Sequence, residues 1–264
     1  MSSDWMKSSY AKLSRAHELA DTLQSEIAVW SDSNPYHMIR ERDSNATRYS
    51  IIVRIDKEPS FERWALLAGD CVHSLRAALD HAVYAIAMYD SQTDPPPGER
   101  DLAFPITREG QTLKLDDRRI VSLTLPVREE IERLQPYNRP HPELPPLLAV
   151  LRDFDDTDKH RFLQLAYTQA VNAEFENISG LIPNQQMMFL CHKGEIKDGI
   201  EIAAIVLDRP TPNLQYEAYR ADLTIAIRHA AGPRGHTITG VRAMLRLLEE
   251  ESRTVVDKLF SVLG

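Results

Sequence analysis

Residues 61–88 read FERWALLAGDCVHSLRAALDHAVYAIAM, and their spacing predicts one long amphipathic helix. Pro59 and Ser60 punctuate its start; Ser60 suits the N-cap and Glu62 the first turn. Ala68, Val72, Leu75, Leu79, Ala82, Val83 and Ile86 recur at steps of three and four. At about 100° per residue they share one face, which must be buried. The opposite face collects Asp70, His73, Arg76, Asp80, His81 and Tyr84.

That polar face has two readings. A solvated face is the ordinary one, with Arg76 and Asp80 forming an i,i+4 pair worth only a few tenths of a kcal/mol. A site is the other. Beyond the first turn the face carries no Lys and no Glu, and it holds two of the nine His of the chain, the side chain suited to proton transfer near neutral pH.

Arg76-Ala77-Ala78-Leu79-Asp80-His81 has the form R-x4-H, and the segment resembles the active-site helix of HEPN-superfamily ribonucleases. The resemblance implies a four-helix bundle and a dimer in which Arg and His of two subunits form a metal-independent RNA-cleaving cleft. By that resemblance Arg76 would stabilise phosphate charge and His81 would move a proton at the ribose 2′-hydroxyl. Such chemistry needs a base, an acid and a cation at the phosphate. Family members often carry Asn, Asp or His directly after the Arg; here Ala77 stands there. The Leu-Arg-Ala-Ala-Leu-Asp-His run, with Asp-Lys-His-Arg at 158–161, also resembles a pattern in uncharacterised bacterial proteins, which implies no activity.

The chain of 264 residues has a net charge of −8. That balance excludes a protein that coats nucleic acid non-specifically, so any RNA contact must be local. No apolar run approaches the roughly 20 residues of a membrane span, and MSSDWMKSSY lacks the apolar core of a signal peptide. With only Cys71 and Cys191, a disulfide framework is not expected, and a cytoplasmic location fits.

Residues 4–30 predict a first helix, and residues 37–42 and 47–55 a hairpin around Asp43-Ser44-Asn45. Arg40, Arg42, Arg48 and Arg54 make that hairpin basic, either as an edge strand protected by charge or as a phosphate patch. A loop with three prolines covers residues 90–102, and residues 123–134 and 143–154 read as helices. Asp153, Asp155, Asp156, Asp158 and His160 then fall within eight residues. They are read as acids at the start of a short helical turn, as a second part of the active site, or as ligands for a hard cation. Residues 162–229 are rich in β-formers with regular turn signals and predict four or five antiparallel strands, Tyr219 to Arg228 alternating cleanly. The loop from Ala231 to His236 reads as a strand-to-helix turn that could also hold an anion. Residues 237–263 predict the last helix. Cys71 with His73, and Cys191 with His192, lack zinc-site spacing.

The fold expected is α+β: a four-helix HEPN-like bundle from residues 1–161 and 230–264, carrying a hairpin at 36–56, with an antiparallel insertion at 162–229. These parts are read as one unit. The function expected is a metal-independent, cofactor-free endoribonuclease of toxin or phage-defence type, a homodimer acting on RNA, subject to a protein regulator and not membrane-bound. Its residues would be Arg76 and His81, supported by His73, Asp80, Asp158 and His160. A non-enzymatic binding or scaffold protein using the polar helix face is the alternative. A metal-dependent hydrolase using Asp155, Asp158 and His160 is a third.

Overall fold

The computed structural model describes residues 5–139, 145–169, 175–218, 223–230 and 236–263. Its helices are α1 (Lys7–Asp32), α2 (Phe61–Ser91), α3 (Leu125–Arg133), α4 (Leu147–Asp158) and α5 (Val241–Ser261). Its strands are β1 (Tyr36–Arg42), β2 (Arg48–Ile55), β3 (Leu165–Gln169), β4 (Phe175–Ser179), β5 (Met187–Cys191), β6 (Glu201–Leu207), β7 (Gln215–Ala218), β8 (Leu223–Ala230) and β9 (His236–Gly240). The protein is α+β, and the pairs β1–β2, β2–β6, β5–β6, β3–β8 and β4–β7 run antiparallel. No helix among the described residues is long and apolar enough to cross a membrane.

The chain divides into two compact units. A helical unit takes Met1–Gln24, Glu62–Gln164 and Arg228–Gly264; a sheet unit takes Ser25–Phe61 and Leu165–Ile227. The sequence reading attached the hairpin to the helices, whereas β2 hydrogen-bonds β6 on its free side. The four-stranded sheet has the order β1-β2-β6-β5. Tyr36 pairs with Ile55 at the open end of the hairpin and Arg42 with Tyr49 beside the turn. The turn is held by Asp43, whose Oδ1 accepts from the Thr47 and Arg48 amides at 2.8 Å. A bulge between Ile51 and Ile52 shifts the β2–β6 register. One face of this unit buries Tyr49, Ile205, Leu207 and Leu214, against which Phe175, Ile178, Met187 and Tyr216 pack.

The basic character of the hairpin is internal to this unit. Arg48 bonds Glu201 through Nε at 3.0 Å, Arg54 lies 3.6 Å from Asp198, and Arg42 donates to the Pro212 carbonyl at 3.0 Å. Arg40 lies over the Tyr216 ring, 5.3 Å from its centroid. Each guanidinium therefore has a local partner; Arg40 and Arg42 lie on the edge strand β1, whereas Arg48 and Arg54 lie on β2, an inner strand of the sheet.

In the helical unit α2 is central. All seven residues of its expected stripe are fully buried, and so are Trp64, Ala65, Cys71, Ala78, Ala85 and Ala87 on its flanks. A helix apolar around most of its girth belongs in the interior. The first half of α1 packs Leu13, Ala16, Leu19 and Leu23 inward, and the Cys71 thiol donates to the Ala16 carbonyl at 3.3 Å. Helix α5 buries Val241, Met244, Leu245, Leu248, Val255, Val256, Leu259 and Phe260, but it begins later than expected because residues 236–240 form β9. Helix α4 is displaced toward the C-terminus, so Asp153, Asp155, Asp156 and Asp158 lie in its last turns. They are not the N-terminal acids that the dipole argument favours. The loop of residues 231–235 and the alternation at 219–222 lie outside the described residues.

The stretch after the proline loop is docked in extended form. Phe104 is fully buried, and Gln135, also fully buried, accepts from the Thr107 amide at 3.0 Å and donates to the Pro105 carbonyl at 2.8 Å. Arg152 of α4 donates to the Thr107 carbonyl. Phe104→Ala removes the ring that seats this stretch. It should destabilise the helical unit by about 3–5 kcal/mol, measured as a lower denaturant midpoint.

Candidate functional site

The polar face of α2 is not one surface. Five residues at about 100° each place Arg76 and His81 about 140° apart around the helix, and their neighbours differ accordingly. Arg76 Nη2 donates to the Phe104 carbonyl at 2.7 Å and lies 2.9 Å from Asp80 Oδ1. Asp80 Oδ1 accepts from the Phe104 amide at 2.8 Å. Arg76 and Asp80 thus hold both ends of one residue's backbone polarity. The Arg76 side chain is only 17% exposed, and its Nη1 is buried without a hydrogen-bond partner. Burial pushes the Asp80 carboxyl up, against the pull of Arg76 and the Phe104 amide. His81 faces the other way. Burial, then the Lys12 ammonium of α1, pushes its imidazole down, while Asp80 pulls it back.

The N-terminal half of the face meets the end of α4. His73 Nδ1 lies 3.2 Å from Asp155 Oδ1, and Lys159 Nζ lies 2.6 Å from the other Asp155 oxygen. The Asp155 side chain is 4% exposed and the imidazole 63%. A buried carboxylate therefore orients an exposed ring, the arrangement of a general base and its orienting acid. Asp158 sits against the α2 backbone: a Cβ on Gly69 would come within 2.0 Å of its Oδ1. Burial, then the charges of Asp70 and Asp155, pushes the Asp158 carboxyl up, and His73 pulls it back. Neither Asp70 nor Asp158 has an ion pair among the described residues.

His160 is elsewhere. It lies in the turn just beyond the end of α4, where with Arg161 and Arg228 it lines a separate cavity. The six residues read from the sequence thus fall in four places. Arg76 and Asp80 grip Phe104, His73 and Asp158 share the α2–α4 seam, His81 faces α1, and His160 lines the cavity. The set Asp155, Asp158 and His160 is not gathered on one side of α4. Among the described residues no three His, Cys, Asp or Glu side chains form a group that could hold a metal.

Sequence reasoning did not identify Asp155 as the partner of His73, nor Gly69 as the floor beneath Asp158. The second was signalled, since an isolated Gly inside a helical pattern usually has a packing reason. Comparison with family models, with curated proteins and with solved structures finds no significant match.

Two outcomes follow from the seam. Gly69→Ala adds helix propensity of up to about 1 kcal/mol but drives a methyl into the Asp158 carboxylate. It should lower the melting temperature, and adding Asp158→Ala should restore it above that of the single variant. Secondly, the raised Asp158 carboxyl binds its proton in the folded chain at a pH where the unfolded chain has released it. Stability from this group is lost as pH rises above the ordinary carboxyl value of about 4 through the raised one. Asp158→Asn should therefore raise the melting temperature at pH 7.5, and the gain should shrink as the pH approaches about 4.5.

Proposed function

We propose that this chain is a non-enzymatic binding protein that presents the exposed seam of α2 and α4 to a basic partner. The observation that carries this is the engagement of Arg76. It is the one guanidinium between Asp70 and Tyr84, and it is held by Phe104 and Asp80. What remains outward is anionic, with Asp70 and Asp158 beside the one His and one Lys that share the buried Asp155. Such a surface repels phosphate and attracts Lys or Arg side chains, and the net charge of −8 acts in the same direction. A two-fold dimer across this patch would set the acids against themselves, so the partner here is a different molecule.

A second reading is favoured by the His73–Asp155 contact. An exposed imidazole backed by a buried carboxylate is equipped for proton transfer, and the R-x4-H resemblance names RNA as its substrate. In that reading His73 replaces His81 as the acid–base group, and Arg76 positions the helix without touching phosphate. The HEPN-like bundle, the homodimer and the toxin or defence role belong to this reading.

One experiment separates the two. RNA is incubated in EDTA with wild type, His73→Ala, His81→Ala and Arg76→Ala, and binding of a lysine-rich peptide is measured for wild type and Asp70→Asn/Asp158→Asn. The binding reading expects no cleavage by any form, and peptide binding that weakens with salt and at least tenfold in the double variant. Cleavage by wild type that His73→Ala abolishes would replace it with the ribonuclease reading.

A further inference from the structure

The side of α4 turned away from the seam borders a cavity of about 570 Å³, a size that suits a small organic ligand. All of its lining belongs to the helical unit. Its apolar wall is Val150, Phe154 and Leu163, each buried. Its polar rim brings His160, Arg161 and Arg228 together from two stretches of chain far apart in sequence. The Arg228 amide donates to the Gln164 carbonyl at 3.0 Å, which fixes one stretch against the other.

The charges around this cavity are unevenly engaged. Asp153, which also lines it, is held by Arg152 through Nε at 3.0 Å and Nη2 at 2.6 Å. Asp156 lies 3.8 Å from Lys159 and 3.9 Å from Arg108. Both carboxylates are thus compensated by cations outside the lining. Neither the Arg161 guanidinium nor the His160 imidazole has a hydrogen bond or ion pair among the described residues. A guanidinium just beyond a helix C-terminus commonly serves the dipole alone. Here Arg161, with the His160 imidazole beside it, faces an apolar-walled cavity with donors left over, and that combination points to a ligand.

We infer that this cavity binds a small organic anion. Its oxyanion lies between Arg161, Arg228 and His160, and its apolar or aromatic body lies against Val150, Phe154 and Leu163. A guanidinium fork matches the two oxygens of a phosphate or carboxylate, and a bare inorganic ion would leave the apolar wall unused. The site is independent of the α2–α4 seam, because the two use opposite sides of α4.

The test is calorimetric titration of the full chain at pH 7 with adenosine monophosphate, benzoate and inorganic phosphate. Wild type is compared with Arg161→Ala and His160→Ala; both side chains are exposed, and melting temperatures check that the variants fold. At least one organic anion should bind with a Kd of about 1 mM or tighter, more tightly than inorganic phosphate. Arg161→Ala should weaken it at least about tenfold, and Asp70→Asn/Asp158→Asn should leave it unchanged. A stronger response to adenosine monophosphate identifies a phosphate ligand, and one to benzoate a carboxylate. Failure of both organic probes to bind, equal affinity for inorganic phosphate, or indifference to Arg161→Ala would overturn the assignment.

Discussion

Arg76, Asp80 and the backbone of Phe104 form the contact on which the helical unit depends. Extended chain lying on a helix carries polar groups that need partners, and an unpartnered one in the interior costs as much as a lost hydrogen bond. Arg76 and Asp80 meet the carbonyl and amide of Phe104, Gln135 meets the Pro105 carbonyl and the Thr107 amide, and Arg152 meets the Thr107 carbonyl. Three helical segments are thereby tied through four residues that have no secondary structure. The i,i+4 pair is worth little as a surface ion pair. It matters here because it is mostly buried and each member also holds backbone.

That contact redistributes the chemistry of α2. With its guanidinium turned inward together with Asp80, the polar face keeps Asp70 and loses its cation. Helix α4 adds more acids at its C-terminal end, where the dipole disfavours them, and Lys159 offsets only part of that charge. The two sides of α4 therefore differ in electrostatic character, one dominated by carboxylates at the seam and the other by Arg161 and Arg228.

Much of the fold was legible because it is periodic. The stripe of α2 was read residue by residue, since burial along a helix follows directly from the spacing of apolar side chains. Three things were not legible. The start of α5 was placed too early because His236 to Gly240 carry β-formers that a helical period tolerates. The acids of α4 were assigned to a helix start because composition alone does not say which end of a helix they occupy. The role of Arg76 depends on Phe104, 28 residues away, and no local spacing encodes that meeting. The surroundings of the candidate site residues were not legible on the same ground: they fall in four places, and only the tertiary fold supplies their neighbours.

The pairing of β2 bears on how the chain is made. One edge of β2 is closed at once by β1 through a short turn, while its other edge waits for β6, with Arg48 opposite Val206. During synthesis the whole of α2, α3 and α4 leaves the ribosome before that partner exists. Loop closure over so long a stretch is slow, and an open strand edge is a template for wrong pairing. The arginines of the hairpin are then charged side chains beside an unsatisfied edge, and in the nascent chain they guard it until Glu201 arrives to receive Arg48.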